Sequence, residues 1–163
     1  MTVGESRPDR EPGAARRVGD PPVVTLVSVT RFHLRSVRYF PFFMIHANRT
    51  IAQIRKADGF ITGAVQRDDR QAFWTLSVWR DERTMRAYGA SGAHRTALPH
   101  LADWADEAGV VHWRQAGADL PSWPEAVRRL RDEGRSSRLR HPGPAHADRS
   151  FAEPHMTDGM RLS

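Results

Sequence analysis

Residues 73–79, FWTLSVW, carry Trp74, Leu76 and Val78 at alternate positions, with Thr75 and Ser77 between them. This period of two predicts a strand, with Phe73 and Trp79 on one face and Trp74 on the other. A second apolar run, FITGAV at residues 60–65, precedes it, and the short polar loop QRDDRQ joins the two. Two apolar runs with such a connection predict a β-hairpin.

The segment before the hairpin supplies a further strand and a helix. Residues 23–34, VVTLVSVTRFHL, are rich in β-branched side chains, and their apolar residues occupy both odd and even positions. This pattern predicts a strand that is covered on both faces. From Phe40 to Ile54 apolar residues recur at steps of three and four, which predicts a helix. Asp58 and Gly59 would end it.

The segment after the hairpin supplies helices and a last strand. Asp81 predicts the N-cap of one helix, and Ser91 predicts the cap of a second helix after a glycine-containing break. The run GVVHW at residues 109–113 predicts a fourth strand. Residues 123–130, WPEAVRRL, predict a short amphipathic helix.

The resulting order, β-α-β-β-α-β with one more helix, predicts an α+β domain of the ferredoxin-like, split βαβ type. We expect a four-stranded antiparallel sheet with two helices on one face. Its other face carries aromatic side chains and no obvious cover, so we expect a second copy to pack sheet against sheet in a homodimer.

The composition predicts one domain between two tails. Residues 21–133 hold nearly all of the periodic apolar sequence, whereas residues 1–20 and 134–163 are polar and carry few bulky apolar side chains. Such segments bury too little surface to offset their chain entropy. We therefore predict that both tails are disordered.

Composition and charge also limit location and partners. The chain has no cysteine, no secretory pattern and no membrane-length apolar run, so we expect a cytoplasmic protein without membrane association. The net charge of +6 divides into zero, +4 and +2 over residues 1–20, 21–133 and 134–163. With no basic block, a nucleic-acid partner carried by the C-terminal arginines is disfavoured.

His94 is the most informative candidate for a functional residue. Common catalytic motifs such as GxSxG, GxGxxG and HExxH are absent from the sequence. His94 begins an apolar stripe just after the glycine break. It is either a partly buried, hydrogen-bonded histidine or a neutral imidazole in a pocket, where one ring nitrogen can ligate iron. The tryptophans are core residues or the walls of an aromatic pocket.

Four blocks together resemble a known superfamily: residues 73–79, Asp81 with Glu82, the SGAHR block at 91–95, and VVHW at 110–113. Over residues 23–115 the chain resembles the dimeric α+β barrel superfamily that includes the antibiotic-biosynthesis monooxygenases. It is most similar to the spheroidene monooxygenase-like branch.

The resemblance implies a homodimeric barrel and oxygen chemistry on a flat or polyunsaturated apolar molecule. Some members of the superfamily are cofactor-free and others use heme. Where heme is bound, the resemblance implies that His94 ligates the iron and that Trp74 lies at the cofactor. Arg95 would pair with a heme propionate or with an acidic substrate. Trp79, Tyr88 and His94 are the catalytic candidates that it implies. The alternative function is a non-catalytic dimer that binds a small molecule or heme.

Overall fold

The computed structural model describes residues 22–163, so the predicted N-terminal tail at residues 1–20 lies outside the described residues. Within residues 22–163 the chain forms six strands, four α-helices and a 3-10 helix at Val37–Tyr39. Their bounds are β1 Val24–Leu34, α1 Phe40–Ile54, β2 Phe60–Asp68, β3 Ala72–Trp79, α2 Glu82–Gly89, α3 Gly92–Trp104, β4 Ala105–Ala116, α4 Trp123–Glu133, β5 Arg135–Ser136 and β6 Met156–Arg161.

The strands of the described range form one antiparallel sheet in the order β5-β4-β1-β3-β2-β6. The central order β4-β1-β3-β2 is that of the ferredoxin-like, split βαβ fold, which confirms the predicted α+β class. The predicted number of four strands is wrong, because β5 and β6 each extend one edge of the sheet.

The hairpin between β2 and β3 is fixed by one buried carboxylate. Asp68 is 2% exposed and accepts hydrogen bonds from the backbone amides of Arg70 and Ala72, at 2.9 and 3.0 Å. Its other oxygen accepts the indole N–H of Trp74 at 3.0 Å. A carboxylate with three donors is well compensated for its burial, so this turn sets the register of the central strands.

Strand register divides the sheet into two unlike faces. Ser28 lies opposite both Ser77 and His112, and Thr30 lies opposite Thr75. Opposed residues of antiparallel strands share a face. We call this side the cavity face. The packed face consists of the alternate residues Val27, Val29, Trp74, Leu76, Val78, Val111 and Trp113.

The packed face is covered by the chain itself, contrary to our expectation of an uncovered face. Helix α4 places Ala126, Val127 and Leu130 on it, and Phe151 adds a ring from the C-terminal segment. Leu76 is consequently 0% exposed. The amphipathic helix was predicted, but not where it packs. The homodimer stays a prediction, and it can no longer be argued from an open sheet face.

The C-terminal segment is ordered, so the prediction of a disordered tail at residues 134–163 and a domain ending at residue 133 is wrong. Strand β6 pairs with β2, and Leu162 is 1% exposed beside Trp79 and Ile54. Phe151 is 7% exposed on the packed face. A few apolar side chains fill gaps left by the rest of the fold, and mean composition conceals such isolated anchors.

Candidate functional site

A cavity of about 1000 Å³ lies between the cavity face of the sheet and helices α1 and α3. Its roof includes the apolar side chains of Phe43, Ala47, Ile51 and Ile54 of α1 and of Ala97, Leu98 and Leu101 of α3, and α1 adds the polar residues His46, Asn48 and Thr50. A volume of this size accommodates a drug-sized organic molecule, and apolar walls are usual for such ligands.

The floor of the cavity changes character along the strands. At one end Phe32 and Phe73 stack with ring centroids 5.5 Å apart, and Phe43 of α1 lies 4.4 Å from Phe73. At the other end lie Trp79 and Leu162. The middle of the floor is polar, and its side chains are Ser28, Thr30, Thr75, Ser77 and His112.

The hydroxyls of this polar strip differ in what they bind. Ser77 accepts the indole N–H of Trp79 at 2.9 Å and donates to the carbonyl of Ser28 at 3.3 Å, which fixes the indole. The side-chain hydroxyls of Ser28, Thr30 and Thr75 have no hydrogen-bond partner within residues 22–163. They are therefore free to bind polar groups of a ligand.

Gln53 of α1 organises the junction between α2 and α3. Its Oε1 accepts the backbone N–H of His94 at 2.8 Å, and its Nε2 donates to the carbonyl of Ser91 at 3.0 Å. Gly92, with φ +55°, allows the backbone to approach Gln53 closely, since a Cβ there would lie 3.0 Å from the Gln53 amide. Ser91 holds the N-cap position as predicted, but its hydroxyl donates to Tyr88 instead of capping α3.

The His94 ring lies in the cavity wall and has one free nitrogen. Nδ1 is 3.0 Å from the carbonyl of Gly89, so Nδ1 carries the proton and donates it. Nε2 has no hydrogen-bond partner within the described residues. Burial lowers the pKa of His94, and the Gly89 hydrogen bond only partly opposes that shift. The imidazole is thus neutral near pH 7, with the Nε2 lone pair available.

Tyr88 and Trp79 extend this site as a row of rings. The Tyr88 ring is 4.9 Å from His94 and 5.2 Å from Trp79, between ring centroids. The Tyr88 hydroxyl donates to the carbonyl of Thr50 at 3.4 Å, and burial raises its pKa. The structure therefore brings together the three predicted catalytic candidates, although it assigns them no reaction.

Two predicted cofactor-binding residues do not belong to this site. Trp74 borders the cavity only at the sheet, since its indole lies in the core of the packed face and donates to Asp68. Arg95 is exposed on α3 and does not line the cavity. Strand alternation separates Trp74 from Thr75, and helical rotation turns Arg95 away from the His94 side.

The sequence patterns did not predict several residues of the site. Gln53 was overlooked because an amide on an amphipathic helix resembles any solvated polar residue. The free hydroxyls of Ser28, Thr30 and Thr75 were missed, although polar residues at alternate positions of apolar strands were a usable signal. Arg135 and Arg138 also line the cavity, from a segment that we predicted to be disordered.

The described residues offer no ready-made metal site. Within residues 22–163 no group of three or more His, Asp or Glu side chains is placed to hold a metal ion. His112 faces the cavity, and burial lowers its pKa, with Arg135 adding to that shift.

No helix in the described range is both long and apolar enough to cross a membrane.

Comparison with known proteins identifies the family. The family described as "Domain of unknown function (DUF3291)" matches residues 44–162. The chain belongs to this family. The match includes the C-terminal strand β6, which agrees with a domain that continues past residue 133. No curated protein matches this DUF3291 chain significantly.

Solved structures share the fold of this DUF3291 protein at low sequence identity. A conserved protein of Methanosarcina mazei Go1 is 18% identical with a TM-score of 0.51, over 56% of this chain and 92% of that one. A Nitrosomonas europaea protein described as a "putative antibiotic biosynthesis monooxygenase" is 13% identical with a TM-score of 0.50, over 61% and 95%. PA3566 of Pseudomonas aeruginosa is 10% identical with a TM-score of 0.52, over 60% and 100%.

Proposed function

We propose that the protein is a monooxygenase-like oxidoreductase that takes a flat or polyunsaturated apolar molecule into the cavity between the sheet and helices α1 and α3. This is the activity that the resemblance to spheroidene monooxygenase-like proteins suggests. In the proposal His94 contacts the reacting molecule or its cofactor, and Trp79 and Tyr88 form the wall beside it.

The observation that carries the proposal is the bare Nε2 of a neutral imidazole in the wall of the cavity. Nδ1 of His94 is held by the Gly89 carbonyl, so the ring cannot turn to satisfy Nε2 without losing that hydrogen bond. A ring oriented in this way is ready to accept a hydrogen bond from a substrate hydroxyl or to ligate iron. A purely structural histidine gains nothing from a free nitrogen.

The shape of the cavity supports an apolar substrate, and the fold gives analogy only. Phenylalanines at one end and Trp79 at the other leave room for a flat body, while the hydroxyls of Thr30 and Thr75 offer orienting contacts. Proteins of this fold include the Nitrosomonas europaea protein described as a "putative antibiotic biosynthesis monooxygenase". One fold supports many activities, so the site residues carry the argument.

Heme fits the residues that are present. His94 Nε2 would hold the iron, since ligating histidines commonly donate their other ring N–H to a backbone carbonyl, as Nδ1 does to Gly89. Arg135 and Arg138 at the cavity are suitable for propionates. When bound, heme would supply the activation of dioxygen. Without heme, His94 would accept a hydrogen bond from an electron-rich substrate that itself reacts with dioxygen.

An optical titration with hemin tests the ligand role of His94. We expect the wild-type protein to shift the Soret band of hemin, and His94→Ala to lose this shift. His100→Ala is the matched control, since His100 lies on the same helix and does not line the cavity. A Soret shift that is unchanged in His94→Ala would remove the heme-ligand role and leave only the cofactor-free form of the proposal.

The second candidate is a non-catalytic binding protein, and one observation favours it. No Asp or Glu among the described residues lines the cavity, and the lowered pKa of His94 makes it a weak base. Both properties suit retention of a ligand better than proton transfer. Oxygen uptake with a reductant and candidate apolar substrates separates the two. Uptake that needs His94 supports the oxidoreductase, whereas saturable binding without uptake supports the binding protein.

A further inference from the structure

The charges around the cavity are of one sign. Among the cavity-lining residues that the structure describes there is no carboxylate, whereas arginine side chains are present. Arg31 is one of them, but its guanidinium is 2.6 Å from Glu107 and packs on Phe151 towards the packed face. The charge of Arg31 is therefore already compensated.

Arg135 and Arg138 differ from Arg31 in having no such partner. Arg135 lies in β5 opposite Val110, so its side chain shares the cavity face with Val110 and Thr30. Arg138 follows three residues later, where the chain passes the end of α3 and Arg140 donates its backbone N–H to Ala102 at 2.9 Å. Both side chains are exposed at the cavity and line it.

Neither arginine forms an ion pair or a side-chain hydrogen bond within residues 22–163. By contrast, Arg80, Arg86, Arg129 and Arg131 all pair with nearby carboxylates. Two unpaired guanidinium groups beside an apolar cavity form a place where an anion is attracted and held by charge-assisted hydrogen bonds.

We propose that the ligand of the cavity is an amphipathic anion, with a flat apolar body between the sheet and α1 and a carboxylate bound by Arg135 and Arg138. The inference rests on the proposed function for its ligand cavity, and it adds the chemical class of the substrate. In the proposal the apolar body packs against the apolar side chains of α1 and spans the distance from Phe73 to Trp79, with the free hydroxyls of the floor beneath it. The carboxylate stays at the rim, where it keeps part of its hydration.

The test uses two probes of nearly equal shape, retinoate and retinol, which differ in carrying a carboxylate or a hydroxyl. Binding is followed by quenching of tryptophan fluorescence, since Trp79 lies in the cavity wall. We expect wild-type protein to bind retinoate about tenfold more tightly than retinol in low salt. The preference should shrink as salt screens the two arginines.

The double variant Arg135→Gln/Arg138→Gln should bind retinoate no better than retinol, with retinol affinity unchanged. Arg95→Gln is the control, because Arg95 is exposed on α3 outside the cavity and its loss should leave the preference intact. Equal wild-type affinity for the two probes, or a preference that survives in the double variant, would overturn the anion proposal. If neither retinoate nor retinol binds, both this inference and the ligand cavity on which it rests would be overturned.

A porphyrin is the second source of the same chemistry, since heme propionates are also carboxylates on a flat apolar body. Protoporphyrin IX and its dimethyl ester separate the sources without involving iron. Preference for protoporphyrin over its ester, lost in the double variant, supports a porphyrin; preference for retinoate alone supports a smaller substrate. Carboxylate preference without any oxygen uptake would refute the oxidoreductase and keep the anion site.

Discussion

The two faces of one sheet show the contrast on which the functional account depends. On the packed face Trp74, Leu76 and Val78 are at most 1% exposed under α4 and Phe151. On the cavity face the neighbouring residue Thr75 has a hydroxyl without a partner in the described range, beneath about 1000 Å³ of open volume. Protein interiors are normally close-packed. The ligand that we propose would occupy this volume.

Neighbouring substitutions on β3 should separate the faces most strongly. We expect Leu76→Ala to lower the free energy of unfolding by about 2–5 kcal/mol, because Leu76 is fully buried in a core that cannot collapse. Thr75→Ala should change it by no more than about 0.5 kcal/mol, because its hydroxyl has no partner to lose. Urea unfolding measures both. Equal losses would mean that the cavity face is packed as tightly as the other.

The C-terminal segment covers part of the cavity face as well as part of the packed face. Leu162→Ala tests how much this segment contributes to the free energy of unfolding. Leu162 is 1% exposed against Leu26, Trp79 and Ile54. We expect a loss of about 2–3 kcal/mol in the free energy of unfolding, at the lower end for buried leucine because the open cavity lets neighbours relax. Met160→Ala, at an exposed position of β6 two residues before Leu162, is the control. If Leu162→Ala were as stable as wild type, the result would support the disordered C-terminal tail that we predicted from composition.

Filling the cavity should abolish binding while sparing the fold. Thr75→Phe places a ring on the middle of the floor, and we expect affinity for retinol to fall at least about tenfold, or about 1.4 kcal/mol. Thermal stability should be nearly unchanged, because the added ring enters open space. Thr96→Phe adds the same ring on the exposed side of α3. If both variants bind retinol like wild type, the ligand lies elsewhere.

A smaller effect should appear in the dependence of stability on pH. Burial lowers the pKa of His94 below its ordinary value of 6.5, so the unfolded chain takes up the proton first as the pH falls. Stability is then fully present above pH 6.5 and declines below it, down to the pKa of the folded state. His94→Gln should reduce this slope. His46 and His112, whose pKa values are lowered by burial too, should leave a residual slope. An unchanged slope would contradict a buried neutral His94.

The sequence predicted the order of the elements because strand and helix periodicities are local. It placed Trp74 on the face opposite Phe73 and Trp79 by alternation alone, and it selected His94 from its place after the glycine break. It could not show that α4 returns to cover Trp74, since that depends on where a connection leads. It also missed Leu162 and Arg135, because a single anchor in a polar segment has no period. Gln53 binds a helix start that is distant in sequence, which no local pattern reveals.

Nitrogen-15 NMR of the His94 imidazole near pH 7, before and after addition of retinol, tests whether His94 presents a bare Nε2 to a ligand in the cavity. We predict a neutral ring with the proton on Nδ1 and a bare Nε2 in the free protein, and a change in the Nε2 resonance when the cavity fills. His100 on the same helix should not change. A His94 ring protonated on Nε2, or His94 resonances that stay unchanged when retinol binds, would contradict the proposed role of His94 in the cavity.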